Sequence, residues 1–127
     1  MNLRVYYEDT DAGGIVYHTN YIKYCERARS ELFFKKSMTP TDGEKSGFVV
    51  KNINANFLGM ATLGDMLEVT TELTKKRSTS LTLKQIVYKH SEKVFEMEII
   101  LVFVRKGKPS RIPQMLIDVI APKYHEL

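Results

Sequence analysis

The hydrophobic pattern of the chain changes period several times. Residues 2–7 alternate, with Val5 and Tyr7 on one face and Arg4 and Tyr6 on the other, which predicts a short first strand. Residues 8–18 break the alternation with Glu8, Asp9, Asp11 and the pair Gly13-Gly14, and read as a loop. From Asn20 to Lys36 the period is helical: Tyr21, Cys25, Ala28 and Leu32 share one face, while Lys23, Glu26, Arg27, Lys35 and Lys36 lie mostly off it. Asn20 suits an N-cap and Lys35-Lys36 suit the C-terminal end of the dipole. Such a helix is about 25 Å long, and no other long one is predicted. Pro40, Asp42-Gly43 and Gly47 mark a loop over 37–47.

Four strand patterns follow. Phe48–Leu58 sets Ile53, Ala55 and Phe57 against Asn52, Asn54 and Asn56, and Asp65–Lys75 sets Leu67, Val69, Thr71 and Leu73 against Glu68, Thr70 and Glu72. Ser80–Lys89 places Leu81, Leu83 and Val87 together; Val94–Arg105 alternates first and is then apolar on both faces from Ile99 to Val104. Alternation predicts an antiparallel sheet with one covered face. Its loss at the end of the last strand predicts that the second face is covered too, by the helix or by another subunit. The tail, with Met115, Leu116, Ile117 and Val119 between Pro113 and Pro122, fits a short helix or a frayed strand. The result is one α+β domain over residues 1–127.

Composition narrows the class. A chain of 127 residues, 43% hydrophobic and 27% charged, is an ordinary globular domain with a modest core. The active stretch begins almost at Met1, so no signal peptide is expected, and no apolar run is long enough for stable membrane insertion. A single cysteine, Cys25, rules out an internal disulfide framework and makes a reducing cytoplasm the default. The net charge of +4 favours an anionic partner, either nucleic acid or a phosphorylated small molecule. The cations cluster at Lys75-Lys76-Arg77 and over 105–111, without interleaved aromatics or a nucleic-acid motif. Nucleic acid is therefore not expected.

The candidate chemistry lies where the first loop meets the helix. A helix start offers unpaired N–H groups and partial positive charge that can hold a developing oxyanion. Asp11, on a glycine loop just ahead of it, can act as base or nucleophile, or can be a turn residue accepting local N–H groups. Glu8, Asp9, Asp11 and His18 could also be read as metal ligands, but Glu8 and Asp9 would point to opposite faces of a strand, and no metal is expected. Cys25 lies two helical turns from His18, too far for a nucleophile–base pair, and fits a buried apolar position. His90 and His125 fall in a turn and in the tail, without partners nearby in sequence.

Tyr7-Glu-Asp-Thr-Asp-Ala-Gly-Gly-Ile-Val-Tyr-His18, followed by Asn20-Tyr21 and Glu26-Arg-Ala-Arg-Ser30, resembles the signature of the YbgC-like acyl-CoA thioesterases, in the 4-hydroxybenzoyl-CoA thioesterase family of hot dog folds. The resemblance implies an antiparallel sheet wrapped around one long helix. It implies hydrolysis of acyl-CoA, with Asp11 attacking the thioester or activating water. The backbone N–H at His18 would polarise the carbonyl, while the His18 imidazole orients water or the leaving sulfur and Tyr17 fixes the loop. Lys76, Arg77, Thr79 and Ser80 match a turn suited to the phosphates of coenzyme A; the same turn also suits a solubilising sheet edge. No cofactor is implied beyond the coenzyme A of the substrate. Two chains would pair edge to edge, and two dimers into a tetramer. A link to an acyl carrier or to the Tol–Pal envelope system rests on analogy alone. The competing readings are a non-catalytic acyl-CoA or acyl-carrier binding module on the same fold, and a nucleic-acid-binding domain. A hot dog dehydratase lacks its His–Glu pattern here.

Overall fold

The computed structural model describes residues 1–43 and 45–122, so His125 lies outside the described residues. In chain order the elements are β1 (Asn2–Arg4), a 3-10 turn (Tyr7–Asp9), α1 (Thr19–Phe34), β2 (Ser46–Phe57), β3 (Met66–Lys76), β4 (Ser80–Lys89), β5 (Glu92–Arg105), β6 (Lys108–Pro109) and α2 (Gln114–Ile120). The strands form one antiparallel sheet of order β1-β3-β4-β5-β2, with β6 paired to the end of β5. The sheet curls over α1, and the fold is α+β as expected.

Alternation becomes register. Leu67 and Val69 of β3, Leu81, Leu83 and Val87 of β4, and Phe95, Met97, Ile99 and Leu101 of β5 are all buried on the face toward α1. The helix answers with Tyr21, Tyr24, Cys25 and Ala28; Tyr21 stacks on Phe95, ring centroids 5.3 Å apart and nearly parallel. A second cluster joins Phe33 and Phe103 to Leu116, Ile117 and Val119 of α2. The tail is thus a helix, because its apolar residues close the end of the core that α1 leaves open.

Three expectations need correction. The first strand stops at Arg4, and Tyr7 is 82% exposed rather than sharing a buried face with Val5. The cause is Asp9, whose carboxylate accepts the Tyr6 N–H at 3.0 Å and turns the chain. The helix starts at Thr19, with His18 in the cap position and Asn20 inside its first turn. Leu32 is only half-buried, and the buried stripe runs through Tyr24 and Phe33. On β5, the helix covers Ile99, Leu101 and Phe103, whereas Ile100, Val102 and Val104 remain half-buried on the outer face. No helix among the described residues is long and apolar enough to cross a membrane.

Candidate active site

Residues 9–17 form a small hairpin. Thr10 bridges Val16, the Tyr17 N–H donates to the Asp9 carbonyl at 3.0 Å, and the Asp11 N–H donates to the Ile15 carbonyl at 2.8 Å. Asp11 sits at its tip, exposed. Its Oδ1 accepts the N–H groups of Gly13 at 2.9 Å and Ile15 at 3.2 Å. Its Oδ2 has no hydrogen bond among the described residues. The turn reading and the chemical reading of Asp11 therefore meet in one side chain: one oxygen fixes the carboxylate, and the other faces solvent. Both glycines suit this turn. A Cβ on Gly13 would stand 3.3 Å from Asp11 Oδ1, and Gly14 has a φ of +78°, where other residues are strained.

The hairpin is tied down on two sides. The Val16 N–H donates to the Ala61 carbonyl at 2.9 Å and the Leu63 N–H to the Gly14 carbonyl at 3.0 Å, fixing it to the loop before β3. That loop is held to the helix by the Tyr21 hydroxyl, which accepts the Ala61 N–H at 3.0 Å. On the other side the Asn20 Nδ2 donates to the Asp9 carbonyl at 2.8 Å. Asn20 is thus not a cap accepting N–H groups; it is a donor reaching back to the hairpin.

His18 stands where the hairpin enters α1. Its backbone N–H has no acceptor among the described residues, as befits the first donors of a helix. Its exposed ring lies 4.5 Å from the Tyr17 ring and edge-on to Phe57 at 6.0 Å, centroid to centroid. Tyr17 is half-exposed, with its ring against that of His18. A carboxylate with one free oxygen and a helix start with a free N–H are the two components that acyl transfer needs: a group to deliver the nucleophile and a donor for the oxyanion.

Among the described residues no cluster of three or more His, Cys, Asp or Glu could hold a metal ion. Asp9 is 5% exposed whereas Glu8 points to solvent. Cys25 is buried in the core, and burial pushes its thiol up to about 12, far from a nucleophile's range. His90 is exposed in the β4–β5 turn.

Lys76, Arg77, Thr79 and Ser80 do form the β3–β4 hairpin, closed by the Arg77 N–H on the Ser80 carbonyl at 2.8 Å. The Phe103 N–H donates to the Thr79 carbonyl and the Ile112 N–H to the Ser78 carbonyl. These bonds draw the basic segment 105–111 to the same end of the sheet, so two clusters separate in sequence become one basic end. That end is not beside Asp11. The Asp11 hairpin packs at the start of β3 and the basic turn at its finish, roughly 30 Å apart at the usual strand rise.

A family model described as the thioesterase superfamily matches residues 13–96, about two-thirds of the chain. The chain belongs to the thioesterase superfamily. It is similar to the acyl-CoA thioesterase YbgC of Helicobacter pylori strain J99, 41% identical over 132 aligned positions that cover 95% of this chain and 98% of that one. It is similar to the acyl-CoA thioester hydrolase YbgC of Escherichia coli O6:H1, 41% identical over 120 positions, 91% and 90% of the two chains. Its fold is similar to the solved structure of a hypothetical protein from Aquifex aeolicus, with a TM-score of 0.86, 28% identity, and coverage of 94% and 97%. The sheet curled over α1 is the hot dog fold of this superfamily.

Within this thioesterase, sequence reasoning missed a polar group in the core. Gln85 is fully buried in the apolar stripe of β4, donating to the Cys25 carbonyl at 2.9 Å and to Thr71 Oγ1 at 3.0 Å, and accepting from Arg29 Nη1 at 2.9 Å. Burial lowers the pKa of Arg29. A glutamine between Leu83 and Val87 was the available signal, since a polar residue on a covered face needs partners. The partners of Asp9 left no signal in periodicity. Tyr24 lies beside Asp9 with its hydroxyl buried and without a hydrogen bond of good geometry; burial first, and then the Asp9 charge, push its pKa well above the ordinary phenol value.

Proposed function

We propose that this chain hydrolyses acyl-coenzyme A to a carboxylic acid and free coenzyme A, with Asp11 as the reacting carboxylate and the N–H at His18 as an oxyanion donor. The observation that carries the reading is the Asp11 carboxylate, fixed through Oδ1 by two backbone donors and free at Oδ2. The names of the YbgC relatives, acyl-CoA thioesterase and acyl-CoA thioester hydrolase, support coenzyme A as the thiol. The thioester C–S bond breaks, the acyl carbon gains an oxygen either from water or from Asp11, whose lost oxygen water then replaces, and the thiolate takes up a proton. Oδ2 either attacks the acyl carbon or takes the proton of the attacking water. A single turnover in ¹⁸O-water separates these routes, because only direct attack leaves label in Asp11. On this reading no cofactor is needed and the enzyme works in the cytoplasm.

The basic turn enters through a second copy. β2 is an edge strand of 12 residues with exposed Val49, Val50 and Phe57, and such an edge calls for a partner. If two β2 edges pair antiparallel about a two-fold axis, the Phe57 end of one chain meets the Ser46 end of the other. Phe57 touches His18, and Ser46 pairs Arg105 near the basic end. The two-fold therefore brings the basic end of one chain to the same side as the other chain's Asp11. Lys76, Arg77, Thr79 and Ser80 would hold the phosphates of a substrate whose thioester lies at the partner's Asp11. A homodimer is then the smallest active unit, and a pair of dimers the assembled state.

The test is release of free thiol over a panel of acyl-CoAs by wild type and Asp11→Asn. Hydrolysis by wild type and a loss of about a thousandfold in the variant is expected. Comparable activity in both would dismiss Asp11, and binding without hydrolysis by wild type would make the protein an acyl-CoA binding module.

A further inference from the structure

Catalysis by the proposed pair depends on how the Asp11 hairpin sits against the start of α1. The hairpin carries the carboxylate and the helix start carries the oxyanion donor, and the two meet at Asp9. The Asp9 carbonyl accepts two hydrogen bonds, from the Tyr17 N–H across the hairpin at 3.0 Å and from Asn20 Nδ2 at 2.8 Å. The Asp9 carboxylate is buried and bound by the Tyr6 N–H at 3.0 Å, so the residue is held from both ends. Of the remaining ties of the hairpin, those at Gly14 and Val16 run to the loop before β3, and the Asn20 N–H donates to the Tyr17 carbonyl at 2.9 Å, a backbone bond at the junction itself. Among the described residues, Asn20 is thus the side chain of α1 that bonds the hairpin with good geometry.

We propose that Asn20 is a positioning residue, whose carboxamide fixes the Asp11 carboxylate relative to the N–H at His18. Asn20 lies two residues beyond His18, in the rigid first turn of α1, so its bond to Asp9 transmits the position of the helix start to the strand leading into Asp11. Asn20 touches no reacting atom; it acts through Asp11. A small displacement of a reacting group lowers the rate steeply without changing what binds. This inference rests on Asp11 being the catalytic carboxylate.

Asn20→Asp keeps the size and loses the donor; Asn20→Ala loses both. The readouts are kcat and KM for the best acyl-CoA, the Kd of an unreactive thioether analogue of that substrate, and Tm, with Asp11→Asn measured alongside. Expected is a fall in kcat of tenfold to a hundredfold in both Asn20 variants, with Kd within about twofold and Tm within a few degrees of wild type. A kcat within threefold of wild type, or a fall in kcat accompanied by an equal loss of binding, overturns the proposal. If one variant does not fold, the other decides; if neither folds, Asn20 supports the fold rather than the site, and the proposal fails. Activity retained in Asp11→Asn refutes the underlying reading instead, whereas an inactive Asp11→Asn beside fully active Asn20 variants refutes this inference alone.

Discussion

At the end of the sheet where β3 begins, a carboxylate is fixed by two backbone N–H groups, a buried Asp9 carbonyl takes two donors, and Tyr21 pins the neighbouring loop. At the end where β3 finishes, the Arg77 turn and the 105–111 segment present cations from two hairpins, joined by backbone bonds and by the ion pair of Arg105 with Asp42. The first end uses its polar groups to hold a geometry, and the second gathers long cationic side chains, Arg105 among them paired with Asp42. The contrast matches two different demands. Bond-making needs atoms placed to a fraction of an ångström, whereas anchoring a phosphate needs charge and reach. Damage to the first end should therefore appear in kcat, and damage to the second in KM.

The largest effect expected is the loss of about a thousandfold in kcat in Asp11→Asn, with thioester binding kept. Replacing both Lys76 and Arg77 by alanine should raise KM for acyl-CoA about tenfold and leave kcat within a factor of about two, because contacts to the nucleotide are the same in ground and transition states. A truncated thioester without the nucleotide should not register the change. Equal losses on both substrates would assign the turn to folding or assembly.

A smaller effect concerns stability beside the first end. Asp65 pairs with Lys89 at 2.9 Å and accepts the Thr62 N–H at 2.7 Å. Desolvation alone raises its pKa, but the Lys89 ammonium and the Thr62 donors together outweigh that and hold the carboxyl below its ordinary value. A pKa lowered by folding contributes stability above the unfolded value of about 3.9, and that contribution is lost as pH falls through the lowered value. Asp65→Asn should thus lower Tm by a few degrees at neutral pH, on the scale of about 1 kcal/mol or less, and the difference should vanish at strongly acid pH. An acid-independent difference would locate the effect in the turn rather than in the charge. Smallest of all, Cys25 should resist alkylation in the native protein at pH 8 and react once denatured, since it is buried with its pKa raised to about 12. Rapid native labelling would mean that the core between α1 and the sheet opens.

How legible each end was in the sequence follows from what sets it. The strands were legible because burial on one face enforces period two: Ser80–Lys89 emerged with the expected bounds, and β5 starts two residues earlier than its pattern. The helix was legible as a face but not at its start, because Asn20 donates to Asp9 instead of capping, a contact 11 residues back that periodicity does not register. The first strand was overextended for the same kind of reason: the Asp9 carboxylate captures the Tyr6 N–H and stops it. Asp11, Tyr17 and His18 were singled out through the motif, and they lie on the hairpin and at the helix start. The separation of Asp11 from Lys76 and Arg77 was not legible, since it is set by the direction of β3 in the sheet rather than by any residue.

That separation makes the shared site the claim most open to direct attack. Asp11→Asn chains are mixed with chains carrying both Lys76→Ala and Arg77→Ala, unfolded and refolded together, and assayed at a substrate concentration well below the raised KM. If a site joins Asp11 of one copy to the basic turn of another, each hybrid holds one intact site, and the mixture recovers activity well above the sum of the parents. Activity no greater than that sum, in a mixture shown to contain hybrids, would place Asp11 and its phosphate anchor in the same chain and contradict the shared site.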